Sequence, residues 1–351
     1  NDDISRKSFS AAFCVSAFLG TLLVLSTRGQ PAITSRREIV AAVAALVLIT
    51  TVTGSLPLYF SGEGWNFLDS NFESLSGFTT TGISMKADPS TLSDSILLWR
   101  ALLQWIGGFS SLLLVIWAFP TFGFGGIFVP QRDAVETIVA ERQASFQQLI
   151  RNLLLIYSSL TLFCICILVS LNVPTLQAVC YSLSTISTGG FILDQNGPLT
   201  NFSIPIKLTL SLFMILGAIN FLLLGKILTS TWKQVFFDSE IRILFGLILV
   251  GIVLILISSN VSREERSVID GIFLLISILT TTGYPVDNYT IPTNSFLILI
   301  LLTFAFIGGS SGSTTGGLKL MRLTLLFQQA RRELIKLIHP HAVIPIKFGL
   351  H

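Results

Sequence analysis

Long apolar segments, separated by short polar connections, dominate the sequence. Seven stretches have the length and apolarity of membrane-crossing helices: 9–27, 38–60, 95–119, 149–172, 204–229, 241–259 and 292–327, the last of which is interrupted. A bilayer core about 30 Å thick needs roughly 20 apolar residues in helical form. The pattern therefore predicts an all-α, multi-pass membrane protein.

Composition and charge support this class. The chain is 51% hydrophobic and 12% charged, with a mean hydropathy of +0.76, which is far from the balance of a soluble globular protein. Lys and Arg gather in alternate connections, which places the connections carrying Arg36, Arg142 and Arg331 in the cytoplasm. Because the net charge of +3 is distributed as a topology signal, it does not indicate a nucleic-acid partner.

Three segments on the outer side resemble one another. They read "WNFLDSNFESLSGFTTTGIS" (65–84), "VPTLQAVCYSLSTISTGGF" (173–191) and "SVIDGIFLLISILTTTGY" (267–284), and their final glycines recur about every 100 residues. About 15 residues make about 22 Å of helix, which is too short to cross the membrane. The repeated unit is thus a helix, a short re-entrant pore helix, a Thr-Gly loop and a second helix.

This repeat divides the chain. We predict an N-terminal transmembrane helix (1–29) and pore repeats over 30–130, 131–233 and 234–351. The third repeat has a broken second helix and a cytoplasmic basic tail. Non-helical backbone at membrane depth persists only where it is buried or lines a water-filled path. A single Thr-Thr-Gly would be an ordinary turn, but three copies in one topological place favour loops whose carbonyl oxygens replace the hydration shell of a cation.

The motifs also resemble a known family. "ESLSGFTTTGIS" (73–84), "LLWRALLQWIGG" (97–108), "STISTGGF" (184–191), "LTTTGY" (279–284) and "FIGGSSGSTTGGLKLMR" (306–322) are similar to the Trk/Ktr/HKT superfamily of potassium transporters, in particular the membrane subunit of bacterial Trk systems, of TrkH/TrkG type. The resemblance implies a pore of four linked repeats, each with one selectivity-filter loop. The matching ion-binding positions are Thr80, Thr81, Gly82, Thr188, Gly189, Gly190, Thr281, Thr282 and Gly283.

The resemblance implies further properties. K⁺ is the expected transported ion, with no organic cofactor, and Gly82 at the key filter position favours K⁺ over Na⁺. We expect a multi-pass protein of the bacterial inner membrane, a homodimer, and docking of a cytosolic nucleotide-binding regulatory subunit of TrkA type on Arg331, Arg332 and Lys336. The family's fourth repeat would follow His351, so we expect the chain to be a fragment.

A run of Gly, Ser and Thr interrupts the last apolar segment. A phosphate-binding loop is excluded because Leu318 stands where its lysine belongs and the flanks are apolar. About 16 helical residues from Pro292 rise about 24 Å, which places the break in the inner half of the membrane. The family has a flexible intramembrane loop here that obstructs the path beneath the filter. The predicted gate residues are Gly308, Gly309, Ser310, Ser311, Gly312, Ser313, Thr314, Thr315, Gly316, Gly317 and Lys319. The alternative is a static kink.

Charged residues within the membrane are functional candidates. Glu73 in the first pore helix and Arg100 in the next helix either pair to support the filter or snorkel separately to the outer surface. Asp270 suits the positive end of the third pore helix. Lys319 either repels cations in a closed state or marks the inner membrane edge.

Three functional classes are compatible with a multi-pass membrane protein of this kind. Potassium conduction down the electrochemical gradient agrees with the three loops and the gate. A Na⁺- or H⁺-coupled symporter is the alternative, although it would want an acidic residue deep in a span, and none is evident. A membrane enzyme would need a pair of carboxylates, or a His with a nucleophile, at the membrane surface, and it is disfavoured because all three His residues lie in the last 13 positions.

Overall fold

A computed structural model describes residues 2–29, 36–122, 137–193, 202–227, 238–258, 265–286 and 295–339. Within these ranges the regular structure is helical, which confirms the predicted all-α class. The α-helices, numbered here in chain order, are α1 (Asp2–Thr27), α2 (Arg36–Phe60), α3 (Phe67–Phe78), α4 (Asp94–Phe122), α5 (Thr137–Ser170), α6 (Thr175–Ile186), α7 (Ile204–Ala218), α8 (Phe221–Ile227), α9 (Ser239–Ser258), α10 (Glu265–Leu279), α11 (Ser295–Ile307) and α12 (Leu320–Ile338). A short 3-10 helix covers Pro89–Thr91.

Five helices in the described residues are long and apolar enough to cross a membrane. They are Arg6–Thr27, Arg37–Phe60, Asp94–Val115, Gln147–Ser170 and Ser239–Ile257. The other two predicted crossings are broken helices. The break between α11 and α12 was expected, but the predicted continuous span 204–229 is wrong because α7 ends at Ala218 and α8 begins at Phe221.

The chain forms two compact units. The first contains Asn1–Gln148 and Asn172–Gly197, and the second contains Leu149–Leu171 and Pro198–His351. The predicted repeat boundaries are a separate division and stay a prediction. The expected helix start near Pro292 lies outside the described residues.

Small residues allow close packing around pore helix α3 in the first unit. A Cβ on Gly54 of α2 would lie 2.6 Å from Ser74 Oγ, and one on Gly107 of α4 would overlap the carbonyl oxygen of Phe78. Trp99 Nε1 also donates a hydrogen bond to the Gly54 carbonyl oxygen at 2.9 Å. Without side chains at these glycines, α3 approaches its neighbours at backbone distance, as small residues permit in membrane helix pairs.

Pore helix α10 has the corresponding place in the second unit, where it packs against α7, α9 and α11. A buried ion pair joins α7 to α10, with Lys207 Nζ 2.6 Å from Asp270 Oδ1. Helix α12 is different from these elements, since Leu334, Leu337 and Ile338 are 64%, 80% and 75% exposed. Its exposed apolar residues alternate with Arg331, Arg332 and Lys336, so α12 is amphipathic.

Candidate ion pathway and gate

The three Thr-Gly segments adopt the same unusual backbone. Thr80, Thr188 and Thr281 have φ angles of 55°, 51° and 55°, while the glycines two positions later, Gly82, Gly190 and Gly283, have φ angles of 77°, 74° and 82°. A positive φ is uncommon for a β-branched residue and costs of order 1–3 kcal/mol. Because this strained pair recurs in all three loops, the sequence repeat is also a structural repeat. We call residues 79–83, 187–191 and 280–284 the filter loops.

Each filter loop folds back on the last turn of its own pore helix. In the first loop, the N–H groups of Thr81 and Gly82 donate to the Ser76 carbonyl oxygen at 2.9 and 3.4 Å. In the third loop, Thr282 and Gly283 donate in the same way to Ser277 at 2.9 and 3.2 Å. A trans peptide directs its carbonyl opposite to its N–H. The carbonyls of the residues before each donor therefore point away from the pore helix, as a carbonyl-lined path requires.

Hydroxyl groups reinforce the first and third filter loops. Ser76 Oγ donates to the Ile83 carbonyl oxygen at 2.6 Å, and Ser277 Oγ donates to that of Tyr284 at 3.1 Å. The hydroxyl oxygens of Thr79 and Thr81 lie 2.8 Å apart, as do those of Thr280 and Thr282. The two loops thus have the same pattern of hydrogen bonds as well as the same backbone conformation.

The second filter loop is held by contacts with a side chain from another helix. Gly189 stands where the other loops have Thr81 and Thr282, and the side chain of Gln104 fills the space. A Cβ on Gly189 would lie 2.6 Å from Gln104 Nε2. Gln104 Oε1 accepts hydrogen bonds from Ser184 Oγ at 2.7 Å and from Phe191 N at 3.4 Å. Sequence reasoning missed Gln104, although the amide stands in an otherwise largely apolar stretch of α4.

The first and second filter loops are in direct contact. A Cβ on Gly82 would overlap the carbonyl oxygen of Gly189 and lie 3.5 Å from the carbonyl carbon of Gly190. Only glycine fits this approach, in addition to the positive φ at Gly82. The first and second filter loops therefore lie side by side within the first unit.

Glu73 and Arg100 form a buried pair beside these loops. Arg100 Nε lies 2.7 Å from Glu73 Oε1, and the two side chains are 1% and 0% exposed. Glu73 also accepts hydrogen bonds from Ser84 Oγ at 3.0 Å and from Met85 N at 2.8 Å, just after the first filter loop. The guanidinium lies 4.2 Å from the ring centre of Phe191, the last residue of the second loop. The sequence leaves open whether these two side chains pair or extend separately to the outer surface, and in the structure they pair.

Residues 308–319, here called the gate loop, close on themselves between α11 and α12. Leu318 N donates to the Phe306 carbonyl oxygen at 2.9 Å, and Leu320 N donates to that of Gly309 at 3.1 Å. A Cβ on Gly308 would overlap the Gly316 carbonyl oxygen. The two ends of the loop thus meet, and the segment is a compact loop rather than a simple kink in one helix.

The gate loop binds the break between α7 and α8. Ser310 N donates to the Ala218 carbonyl oxygen at 2.9 Å, Thr314 N to that of Gly217 at 3.3 Å, and Phe221 N to that of Gly312 at 3.2 Å. These bonds satisfy carbonyl and amide groups that an unbroken helix would have paired internally. The two interruptions therefore form one hydrogen-bonded structure, which explains why α7 stops where it does.

Two further contacts hold the gate loop. Ser311 N donates to Glu240 Oε2 in the first turn of α9 at 2.7 Å, and Gly316 N donates to Thr281 Oγ1 in the third filter loop at 2.7 Å. Because of the bond to Thr281, the gate loop and the third filter loop are in direct contact within the second unit.

Lys319 follows the gate glycines and has a φ of 64°. Its side chain turns back toward Ser313 and Thr315 of the same loop.

The ion pair of Lys207 and Asp270 was also missed. The sequence places Asp270 at the positive end of its pore helix and does not predict a partner for it. The available signal was a lysine inside the apolar run 204–218, since a charge within a membrane segment calls for a counter-charge. Both side chains are nearly fully buried.

Repeated pore-helix and filter-loop units, joined to a loop within a broken helix, define a channel-like membrane transport protein. The family profile described as "TrkH: Cation transport protein" matches residues 5–351, and the chain belongs to this family. The family resemblance of the sequence is therefore confirmed, and the family is one of transporters rather than enzymes.

Individual relatives support the same family assignment. The chain is 32% identical over 359 residues to the Trk system potassium uptake protein TrkH of Salmonella typhimurium, covering 99% of this chain and 73% of that protein. The Escherichia coli K12 protein of the same name is 30% identical over 355 residues, with the same coverage. The crystal structure of the potassium transporter TrkH from Vibrio parahaemolyticus superposes with a TM-score of 0.85 at 30% identity, covering 98% of this chain and 72% of that chain. With the five long apolar helices, these matches support a multi-pass protein of the bacterial inner membrane.

Proposed function

We propose that this chain conducts K⁺ into the bacterial cell through a pathway lined by the filter loops. The observation that carries the proposal is the threonine–glycine pair with positive φ, which recurs in all three loops. Potassium uptake is also the activity named for the Salmonella and Escherichia relatives. In this mechanism K⁺ exchanges water oxygens for main-chain carbonyl oxygens, and the membrane potential drives its entry.

The residues have separate roles in this mechanism. The carbonyls of Thr80 and Thr81, and their counterparts in the other loops, would contact the ion because the N–H groups that follow them are bonded to the pore helix. Glu73 and Arg100 would act as positioning residues, since Glu73 holds Ser84 and Met85 and Arg100 stacks on Phe191. These contacts would keep the first two loops at a fixed separation.

We propose that the gate loop closes the pathway in the described conformation. Its contact with Thr281 supports this role, since the hydrogen bond from Gly316 brings the loop to the third filter loop. Its glycines with positive φ, Gly308, Gly312 and Gly317, are positions at which the backbone can rearrange without a side-chain penalty. The lining of the pathway below the filter would change when this loop leaves the α7–α8 break.

Radiolabelled Rb⁺ uptake tests the conduction proposal. The full-length protein would be expressed in bacteria that lack other K⁺ uptake, as the wild type and as Gly82→Ser and Gly283→Ser. Both substitutions place a side chain at a filter glycine with positive φ, and we expect Gly82→Ser to abolish uptake because its Cβ would overlap Gly189. Gly20→Ser is the matched control, since nothing lies within 4 Å of a Cβ there. Normal uptake by both filter variants would contradict the proposal.

Ion selectivity and partners need their own measurements. Unlabelled K⁺ should compete with Rb⁺ uptake far better than Na⁺ if the path is selective for K⁺.

We further propose a homodimer and a cytosolic nucleotide-binding regulatory subunit that docks on α12, whose exposed residues Leu334 and Leu337 lie among basic side chains. Light scattering would give the oligomeric state. Arg331→Glu with Arg332→Glu should weaken co-purification of that subunit, whereas unchanged co-purification would contradict this docking surface.

A further inference from the structure

The ammonium group of Lys319 is surrounded by oxygen. Its Nζ lies 3.2 Å from the Ser313 carbonyl oxygen, 3.4 Å from Ser313 Oγ and 3.2 Å from Thr315 Oγ1, and it also donates to the Thr315 carbonyl oxygen. We call these four atoms the oxygen cage. Ser313 and Thr315 are each only 4% exposed, so the cage is buried within the gate loop.

The hydroxyl protons of the cage point away from the ammonium. Ser313 Oγ donates its proton to the Ser310 carbonyl oxygen at 2.6 Å. The 2.8 Å contact between Ser313 Oγ and Thr315 Oγ1 must then use the proton of Thr315. Each of the four oxygens thus turns a lone pair toward Nζ. Two carbonyl and two hydroxyl oxygens, all acting as acceptors, are the ligands that a dehydrated monovalent cation takes in a filter.

The cage also lies next to the proposed ion path. Gly316, the residue after Thr315, donates its N–H to Thr281 of the third filter loop at 2.7 Å. The carboxylate of Glu240 accepts the N–H of Ser311, two residues before Ser313, at 2.7 Å. A cation that leaves the third filter loop therefore meets the gate loop at the residue adjoining the cage, in a region that contains a carboxylate.

We propose that the oxygen cage is a monovalent-cation site that Lys319 fills in the closed gate, and that a permeating K⁺ ion competes with the lysine for it. An ammonium and a K⁺ ion carry the same charge and take similar oxygen distances, so each can satisfy the cage. Displacement of Lys319 would remove the side chain that joins the start of α12 to Ser313 and Thr315 and would loosen the gate loop. This inference deepens the proposed function and rests on it, because the competing ion is the conducted one.

Thermal unfolding of the purified full-length protein tests the site. Lys319→Met removes the ammonium and ends one atom short of its position, which leaves the cage open to an added ion. We expect KCl titration in a choline chloride background to raise the melting temperature of this variant by a few degrees beyond any rise in the wild type, in an added step that begins near the dissociation constant of the site and grows with the logarithm of K⁺ concentration above it. Ions in the filter would act on both proteins equally and cancel in this comparison.

Two variants control the experiment. Lys336→Met removes a lysine from the same helix outside the cage, and it should titrate like the wild type. Lys319→Met combined with Thr315→Val removes one cage oxygen and should shift the added step to at least about tenfold higher K⁺. The proposal is overturned if Lys319→Met gains no step, or if the step is unchanged in the double variant.

A measurement on the wild type covers the case in which these variants do not fold. Amine-reactive labelling followed by mass spectrometry should show Lys319 becoming at least about threefold more reactive as K⁺ replaces choline, while Lys336 stays constant. Unchanged labelling of Lys319 overturns the proposal. Rb⁺ uptake by the wild type separates the two ideas: uptake without K⁺-dependent labelling rejects the cage alone, whereas absent uptake rejects the proposed conduction.

Discussion

The filter loops and the gate loop contain the same residue types and are anchored in opposite ways. In the first filter loop, Thr81 and Gly82 bond to Ser76, a few residues earlier in the same repeat. The gate loop bonds instead to Ala218 and Gly217 on α7, to Glu240 on α9 and to Thr281. Glycine, serine and threonine permit both arrangements, so residue type alone does not distinguish a fixed ion-binding loop from a movable one.

The difference in anchoring predicts a difference in mobility. Local bonds to the preceding helix persist as long as that pore helix is folded, because donor and acceptor move together. The bonds of the gate loop join separate helices, and each contributes only about 0.5–1.5 kcal/mol net, or about 1.5–3 kcal/mol where the carboxylate of Glu240 accepts. Weakening a few of them is enough to shift a two-state loop. Four substitutions, taken from the largest expected effect to the smallest, test this comparison.

Arg100→Met should have the largest effect. It leaves the carboxylate of Glu73 buried without its cation, which costs about 3–5 kcal/mol. We expect a large fall in the melting temperature and in the amount of membrane-inserted protein, and loss of Rb⁺ uptake. The double variant Glu73→Gln with Arg100→Met should recover part of the stability, because no charge is left unpaired. Full stability of Arg100→Met would mean that the filter side is not fixed by this pair.

The filter side was also the part most accessible from sequence. The three Thr-Gly segments, the break at residues 308–317 and the membrane placement of Glu73 and Arg100 are all local patterns, and the Thr-Gly signal occurs three times. Gln104 was missed because its importance arises from Gly189, which lies far from it in sequence. The need for a glycine at position 189 appears only when α4 packs against the second loop.

The α7–α8 break was missed for the same reason. Residues 204–229 are apolar enough for one continuous span, and Asn220 is a weak local signal. The groups that compensate the break come from the gate loop, some 90 residues later, through the bonds of Ser310 and Thr314. Helix breaks that depend on distant partners cannot be read from a hydropathy pattern, which describes each segment by itself.

Glu240→Ala addresses the gate loop directly. The Ser311 N–H loses a charged acceptor, a change of about 1.5–3 kcal/mol, which corresponds to an increase of about tenfold or more in the population of the released loop. We expect a higher basal Rb⁺ leak with near-normal protein stability. Glu240→Gln is the matched control because its amide oxygen can still accept the bond, and its leak should be smaller. A lower leak in Glu240→Ala than in the wild type would contradict the gate assignment.

Gln104→Leu tests whether the second filter loop depends on a side chain from another helix. Ser184 Oγ and Phe191 N lose their acceptor in a buried site, at a cost of about 1–3 kcal/mol. We expect uptake to fall several-fold and K⁺ to lose part of its advantage over Na⁺ in competition assays. Gln104→Glu keeps an acceptor oxygen at this position and should retain more of the selectivity. Equal selectivity in all three proteins would show that the loop holds its shape without Gln104.

Asn220→Ala should have the smallest effect, and it separates the two anchoring modes most finely. Asn220 Oδ1 accepts the N–H of Leu222 at 2.9 Å, which caps the first turn of α8, and the side chain also lies against Gly312 of the gate loop. Loss of a cap costs about 1 kcal/mol, so the leak should rise by about fivefold at most. Asn220→Asp keeps the capping oxygen and should leave the leak near the wild-type level. If both variants leak equally, the contact with Gly312 rather than the cap holds the loop. If neither leaks, the α7–α8 break is a fixed support for the gate loop and does not take part in its release.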